Sequence, residues 1–402
     1  MSEDNANKTA QSDLIETIIF TVQFYYTPVL VLFGSFGNCL SVYIFFSTKM
    51  RRVSSSWYLS ALAISDTFFL LSIFITWLNI IGVGIFNLPG YCQFFVYLST
   101  LCSFLSVWFV VTFTIERFVA VRYPLKRQSM CTVTRAKILL IILSLFGLII
   151  CCPVLWFSSP IKMDIKTNTT ICILVKEWEK WANIFNVVDT IITFVIPFSI
   201  IVILNGLIIK TIWKLSNIRK TLIKTKNIHK TIQCNEQFRN NQTNNIKKRK
   251  NKLYNYGVSQ KKVTKMLLIV SSVFLCFNLP AYVLRVRAFL EADKEPPRSI
   301  IIIQHICNLL FDTNFGINFF LYCASGQNFR SAVLRIILRR PHRLDSARPI
   351  SNNDFRRSSS MGRQRTVVYD VPWSDIGEEL KTLSIKNNSK KKNLINKTSQ
   401  NL

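Results

Sequence analysis

Acidic residues are scarce in this chain: 21 Asp and Glu stand against 50 Lys and Arg, a formal net charge of +29 over 402 residues. Histidine is scarcer. The three, His229, His305 and His342, fall in separate segments and make no HExxH or other metal-ligand spacing. No GxSxG, P-loop or GxGxxG is present. An intramembrane enzyme needs paired carboxylates or a Ser/His arrangement within its apolar segments. Asp66 and Asp189 are expected at opposite depths and cannot form a dyad. These absences argue against an enzyme and leave no catalytic residue to assign. The polar, acidic N-terminus carries no signature of a cleavable signal, and the first apolar segment is expected to act as its own insertion signal. No internal repeat is evident, which weakens a transporter built from inverted halves.

An excess of basic residues raises nucleic-acid binding as a reading. Charge placement excludes it: Lys and Arg avoid long apolar blocks and cluster between them. Seven blocks, at about 18–46, 57–81, 94–121, 136–157, 181–213, 263–289 and 299–323, are long enough to cross a bilayer as helices. The segments 47–56, 122–135 and 214–262 and the region after 324 are basic, whereas residues 1–17 are acidic and 82–91 carry no charge. The positive-inside rule then puts the N-terminus outside and the C-terminus inside.

The expected class is an all-α membrane protein. Residues 1–17 form an outer tail, and 18–323 a bundle of seven transmembrane helices with a disordered basic inner loop at 214–262. Residues 324–340 form a short amphipathic eighth helix, and 341–402 a disordered basic inner tail. In that eighth helix Phe329, Val333, Ile336 and Ile337 share one face framed by arginines, which suits the inner leaflet. Asn7 and Asn168 head glycosylation sequons on the expected outside. Most of the eleven cysteines act as small apolar residues inside spans. Cys92 and Cys172 fall on the oxidising side and are expected to bond, the alternative being two free thiols.

Polar residues at bilayer depth are expensive and mark function. Asn38, Asp66, Ser106, Asn314 and Asn318 lie in the first, second, third and seventh blocks, the last two at i,i+4 on one helix face. They suit a sodium or proton-linked cluster, or simply glue helices together. Toward the outside, Trp77, Asp189, Arg285, Arg287, Gln304, His305 and Asn308 suit a polar, aromatic-lined mouth. Snorkelling is the competing account of the arginines. At the inner end of the third block, "TIERFVAVRYPLK" sets Glu116 beside Arg117 and then stays apolar for four residues. A charge at bilayer depth costs about 2.5–3.5 kcal/mol on insertion scales, so the pair needs a reason.

The ordered set "GN" at 37–38, "LAISD" at 62–66, Cys92, "ERF" at 116–118, Pro197, Phe274 with Pro280, and "INFFLY" at 317–322 resembles the rhodopsin-like G-protein-coupled receptors over about 18–340. The resemblance implies a sodium and water cluster at Asn38, Asp66, Ser106, Asn314 and Asn318, with no other cofactor. It implies an arginine, Arg117, that meets a heterotrimeric G protein and is restrained at rest by Glu116. It implies a pivot at Phe274 and Pro280, a mobile Tyr322, and a Cys92–Cys172 disulfide. Three positions depart: Asn278 replaces the usual tryptophan, Phe319 the usual proline, and Asn205 the usual tyrosine. "NLPAYVLR", "TFVIPF" and "NFFLYCASGQNFR" resemble invertebrate neuropeptide receptors of the FMRFamide and myosuppressin type.

Ser99 stands where amine receptors carry an aspartate, and the seventh block has no lysine for retinal. A peptide ligand is the expected class, with Arg285 taking carboxylates or amide carbonyls and Asp189 an arginine side chain. The alternatives are a lipid or small-molecule receptor of the same fold, or an ion channel or transporter. The expected location is the plasma membrane. "RRSSS" at 356–360 suits a receptor kinase and then an arrestin, or is simply a solvated tail.

Overall fold

A computed structural model describes residues 2–124, 126–162, 170–232, 242–291 and 297–337. Among the described residues, seven helices are long and apolar enough to cross a membrane: Thr17–Ser47, Ser54–Leu78, Tyr91–Arg122, Val133–Phe157, Lys176–Lys214, Thr264–Leu290 and Arg298–Ser325. They are called the first to seventh spans here. Their burial is inverted relative to a water-soluble bundle. Ile141, Leu145 and Ile149 of the fourth span face outward, while Asp66, Asn38 and Ser41 are fully buried. A bilayer is as apolar as leucine, so large side chains lose nothing by facing it, and polar groups turn inward to find partners.

Irregularities shape the fourth, fifth and sixth spans. Pro153 stands where the fourth helix, Val133–Ile150, gives way to a short turn, Val154–Phe157, as a residue without an amide donor requires. The fifth span contains a π-turn at Ile191–Val195, two residues after Asp189. Pro280 lies inside the sixth helix and leaves the Cys276 carbonyl without its helical donor.

Helices extend past the expected spans. The first begins at Ser2, the fifth continues to Ile232 and the sixth starts at Gln242. The inner segment read as disordered between 214 and 262 is therefore helical over most of its described length. Composition misled here because a helix already nucleated in a span adds one hydrogen bond per further residue without a new nucleus. Residues 233–241 and everything after 337, including "RRSSS", lie outside the described residues. So does Asn168; Asn7 falls in the first helix, with its side chain outside the described set.

Between the fourth and fifth spans lies a hairpin that the sequence reading did not foresee, β1 Ser158–Lys162 antiparallel to β2 Thr170–Leu174. A disulfide ties Cys172 of β2 to Cys92 at the start of the third span. The Cys172 amide also donates to Asn87 Oδ1 at 3.1 Å. At the other end of the bundle, the helix Gln327–Ile337 follows the seventh span. Phe329 buries its ring against Phe45 and Tyr322. Arg330 donates to the Cys323 and Ala324 carbonyls at 3.1 and 2.8 Å, satisfying acceptors that a helix C-terminus leaves open.

First and seventh spans meet through glycines. A Cβ at Gly34 would lie 2.8 Å from the Gly316 Cα, and one at Gly316 2.6 Å from Leu30 Cδ1. A Cβ at Gly37 would lie 2.8 Å from the Cβ of Phe319. Overpacking of this kind costs about 1–3 kcal/mol. Gly34→Val is expected to lower the melting temperature of the detergent-purified protein by several degrees. The lipid-facing Ile149→Val should leave it unchanged.

Candidate functional site

Polar side chains gather at three levels of the bundle. The outermost is a cavity of about 320 Å³ beneath the hairpin, whose Ser158 and Leu174 form part of its wall. The third span contributes Ser99, Thr100 and Ser103, the fifth Asn186 and Asp189, and the sixth Arg285. Arg285 Nη1 pairs with Asp189 Oδ2 at 2.8 Å, and its Nη2 donates to Asn186 Oδ1 at 3.0 Å. The fifth and sixth spans are joined again just below, where Tyr282 Oη donates to Thr193 Oγ1 at 3.1 Å. The Tyr282 ring stacks on Phe194 with centroids 4.5 Å apart. Thr193 in turn donates to the Asp189 carbonyl at 2.7 Å, so the π-turn, the ion pair and the tyrosine form one connected unit.

Of the residues expected at the mouth, Ser99, Asp189 and Arg285 share this cavity. Trp77, Gln304 and Asn308 are not among its lining. The Trp77 indole donates to the Phe24 carbonyl at 2.9 Å and its ring packs on Phe24 and Phe74, closing the seam between the first and second spans. Gln304 and Asn308 are exposed on the seventh span, and His305 meets Gln23 at 3.2 Å. Arg287 pairs with Glu291 at the outer end of its own helix. Asn186 went unread in the sequence because an amide near a helix end carries no signal of its own. Asp312 was missed as well, although it stands two residues before Asn314; it has no hydrogen-bond or ion-pair partner among the described residues.

At mid-depth Asp66 is fully buried. Ser106 Oγ donates to its Oδ1 at 2.8 Å and Asn318 Nδ2 to its Oδ2 at 2.6 Å. Asn318 also contacts the Asn314 carbonyl at 3.4 Å. Asn38 Nδ2 reaches the seventh span instead, donating to the Phe315 carbonyl at 2.9 Å, and its Oδ1 is left without a partner. The cluster thus joins the second, third and seventh spans directly, with Asn38 bracing the seventh from the first. Among the described residues no group of three or more His, Cys, Asp or Glu side chains is arranged to hold a metal ion. Asp66 has oxygen-bearing neighbours and, among the described residues, no paired cation.

The innermost level is the acid–arginine pair. Glu116 and Arg117 are 7% and 2% exposed, too enclosed to be satisfied by water. Neighbours on a helix do not face each other, yet the Arg117 side chain curls so that Nη2 lies 2.5 Å from Glu116 Oε1. Ser55 Oγ donates to the same oxygen at 3.2 Å. The guanidinium lies 5.5 Å from the Phe113 ring centroid, and its Nε is unpartnered. The pair's field reaches the adjoining loop. Burial, and next the Glu116 carboxylate, push the Cys131 thiol up; burial, and next the Arg117 guanidinium, push Arg127 down.

Residues expected to form the moving parts between these levels are tightly packed. Phe274 is buried in the main apolar core. Asn278 Nδ2 folds back onto the Phe274 carbonyl at 2.7 Å within its own helix. Asn205 Nδ2 donates across to Ser271 Oγ at 2.8 Å, clasping the fifth span to the sixth. Tyr322 is fully buried with an unpartnered hydroxyl.

A seven-span bundle with a charged cavity under a tethered hairpin at one end, and a buried acid–arginine pair at the other, defines a membrane receptor fold. Residues 37–322 match the family profile of the 7 transmembrane receptor (rhodopsin family), and the chain belongs to that family, whose members are receptors and not enzymes. Curated relatives include the thyrotropin-releasing hormone receptor of Mus musculus, 25% identical over 84% of this chain and 85% of the relative. The FMRFamide receptor of Drosophila melanogaster is 27% identical over 87% of this chain and 60% of the relative. The cysteinyl leukotriene receptor 1 of Homo sapiens is 23% identical over 86% and 94%.

Removing the Asp66 carboxylate would strand the Ser106 hydroxyl and the Asn318 amide, each at a cost of about 1–3 kcal/mol. Asp66→Ala is expected to lower the thermal stability of the purified receptor by several degrees. Asp66→Asn should lower it less, because a flipped amide can still meet both neighbours.

Proposed function

We propose that this receptor resides in the plasma membrane with its N-terminus outside and responds to an extracellular neuropeptide by activating a heterotrimeric G protein on the inner side. The observation that carries the reading is the cavity of Ser99, Asp189 and Arg285 beneath the disulfide-tethered hairpin. Its wall offers a carboxylate, a guanidinium, an amide and several hydroxyls, which suit a peptide better than a hydrocarbon chain. The names of two relatives, the thyrotropin-releasing hormone and FMRFamide receptors, point the same way. At about 320 Å³ the cavity is at the small end of ligand sites, so it takes the end of a peptide, the remainder lying against the hairpin.

Signalling then follows from two-state linkage. Ligand and G protein each favour the same arrangement, so each raises the other's affinity. On the inner side Arg117 leaves Glu116 and meets the G protein; the clasp from Asn205 to Ser271 holds the sixth span against this change. Asp66, held by Ser106 and Asn318, is the group that would hold a sodium ion. When bound, the ion supplies the positive charge that this buried carboxylate lacks. The inner tail would receive a receptor kinase and an arrestin.

The decisive experiment expresses the full chain with a promiscuous G protein and screens amidated neuropeptides. Activation by a peptide at submicromolar concentration is expected; a response to lipid mediators with none to peptides would sink the peptide reading. Arg117→Ala at equal surface expression should abolish signalling. Ser271→Ala strands the Asn205 amide, at a cost of about 1–3 kcal/mol, and should raise ligand-independent signalling several-fold; unchanged basal signalling would remove the clasp from the mechanism.

A further inference from the structure

The cavity's two charged groups are already spent on each other, and they are not equally easy to separate. Asp189 is 11% exposed and Arg285 38%. Asp189 is held from behind: the π-turn fixes its backbone, and Thr193 and Tyr282 pack beneath it. The cation that the structure pairs with it is Arg285. Arg285 lies nearer the mouth and keeps a second acceptor, Asn186 Oδ1.

An anionic ligand that captured Arg285 would leave Asp189 buried with no counter-charge, which is the expensive way to break a buried pair. A cationic ligand that captured Asp189 would release Arg285 to Asn186 and water, which costs little. On this asymmetry we infer that Arg285 acts as an internal stand-in for the ligand, and that a guanidinium or ammonium group of the ligand displaces it from Asp189. This inference rests on the cavity being the ligand site. Asp189 becomes the specificity-determining residue. The exchange also has a mechanical result: the ion pair and the Arg285–Asn186 hydrogen bond tie the fifth span to the sixth, and displacement removes the charged tie while leaving the Tyr282–Thr193 contact. Binding chemistry and the release of the sixth span become one event.

The test uses the full-length receptor, purified in detergent, with two small probes of equal shape: N-acetylarginine amide, and N-acetylcitrulline amide, in which a neutral urea replaces the guanidinium. The arginine probe is expected to raise the melting temperature of the wild-type receptor and the citrulline probe to leave it unmoved. Arg285→Gln should enlarge the arginine probe's shift by vacating the site; Asp189→Asn should abolish it. The double variant Asp189→Asn/Arg285→Gln replaces the ion pair by two amides, guards against simple misfolding, and should respond to neither probe. Equal shifts from both probes, or loss of response in Arg285→Gln, would overturn the exchange. A parallel arm measures signalling potency of FMRFamide and of its citrulline analogue, with at least a tenfold loss expected for the analogue. If no peptide signals while the arginine probe still acts through Asp189, the peptide reading fails and the exchange stands. If peptides signal and the citrulline analogue is as potent, the exchange fails and the peptide reading stands.

Discussion

A charge that cannot reach water must find its partner within the bundle, and this one requirement organises the receptor from end to end. Asp189 takes Arg285 from a neighbouring span, Glu116 takes the residue next to it in sequence, and Asp66 takes a hydroxyl and an amide from two other helices. Each solution has a different consequence. An ion pair between spans fixes their separation. A pair within one helix leaves that helix free to exchange its partner. A carboxylate held by neutral donors stays short of positive charge. The apolar surroundings magnify all three, because low dielectric strengthens a satisfied pair and penalises an unsatisfied one.

The spans were legible because a bilayer demands about twenty apolar residues in a row. Asp66 announced itself as a lone acid in "LSALAISDTFFLL", and Glu116 with Arg117 by interrupting an apolar run. That Asp189 and Arg285 meet was harder to foresee. The pair forms across two helices beside the π-turn at Ile191–Val195, an irregularity with no signature in composition. Trp77, Gln304 and Asn308 show the converse limit: a position near the outer end of a span does not say which way a side chain points. Trp77 spends its indole on a backbone carbonyl of the first span. The hairpin was invisible because "SSPIK" and "TICIL" are too short and mixed to advertise strands, and only the cysteine hinted that this loop was tethered.

Three departures from the family's usual residues acquire a local account. Asn205 spends its amide on Ser271, a contact between helices that a bulky phenol would have to make differently. Asn278 turns its polar end onto its own helix and so is neutral toward its neighbours. Phe319 sets its side chain over Gly37, filling a seam where a glycine leaves room. Each substitution is matched by the residue it touches.

The glycine contacts of the first and seventh spans carry a mechanical implication. Where backbone lies on backbone, as at Gly34 and Gly316, no side chain at that crossing can change rotamer to let the helices part, and the Asn38 amide binds the seventh span's backbone just below; the two are built to move together. Between the fifth and sixth spans every named connection runs through side-chain tips, which can let go and rebind. The bundle is therefore built as a stator and a rotor, with stiffness set by the smallest residues on one side and compliance by the longest on the other.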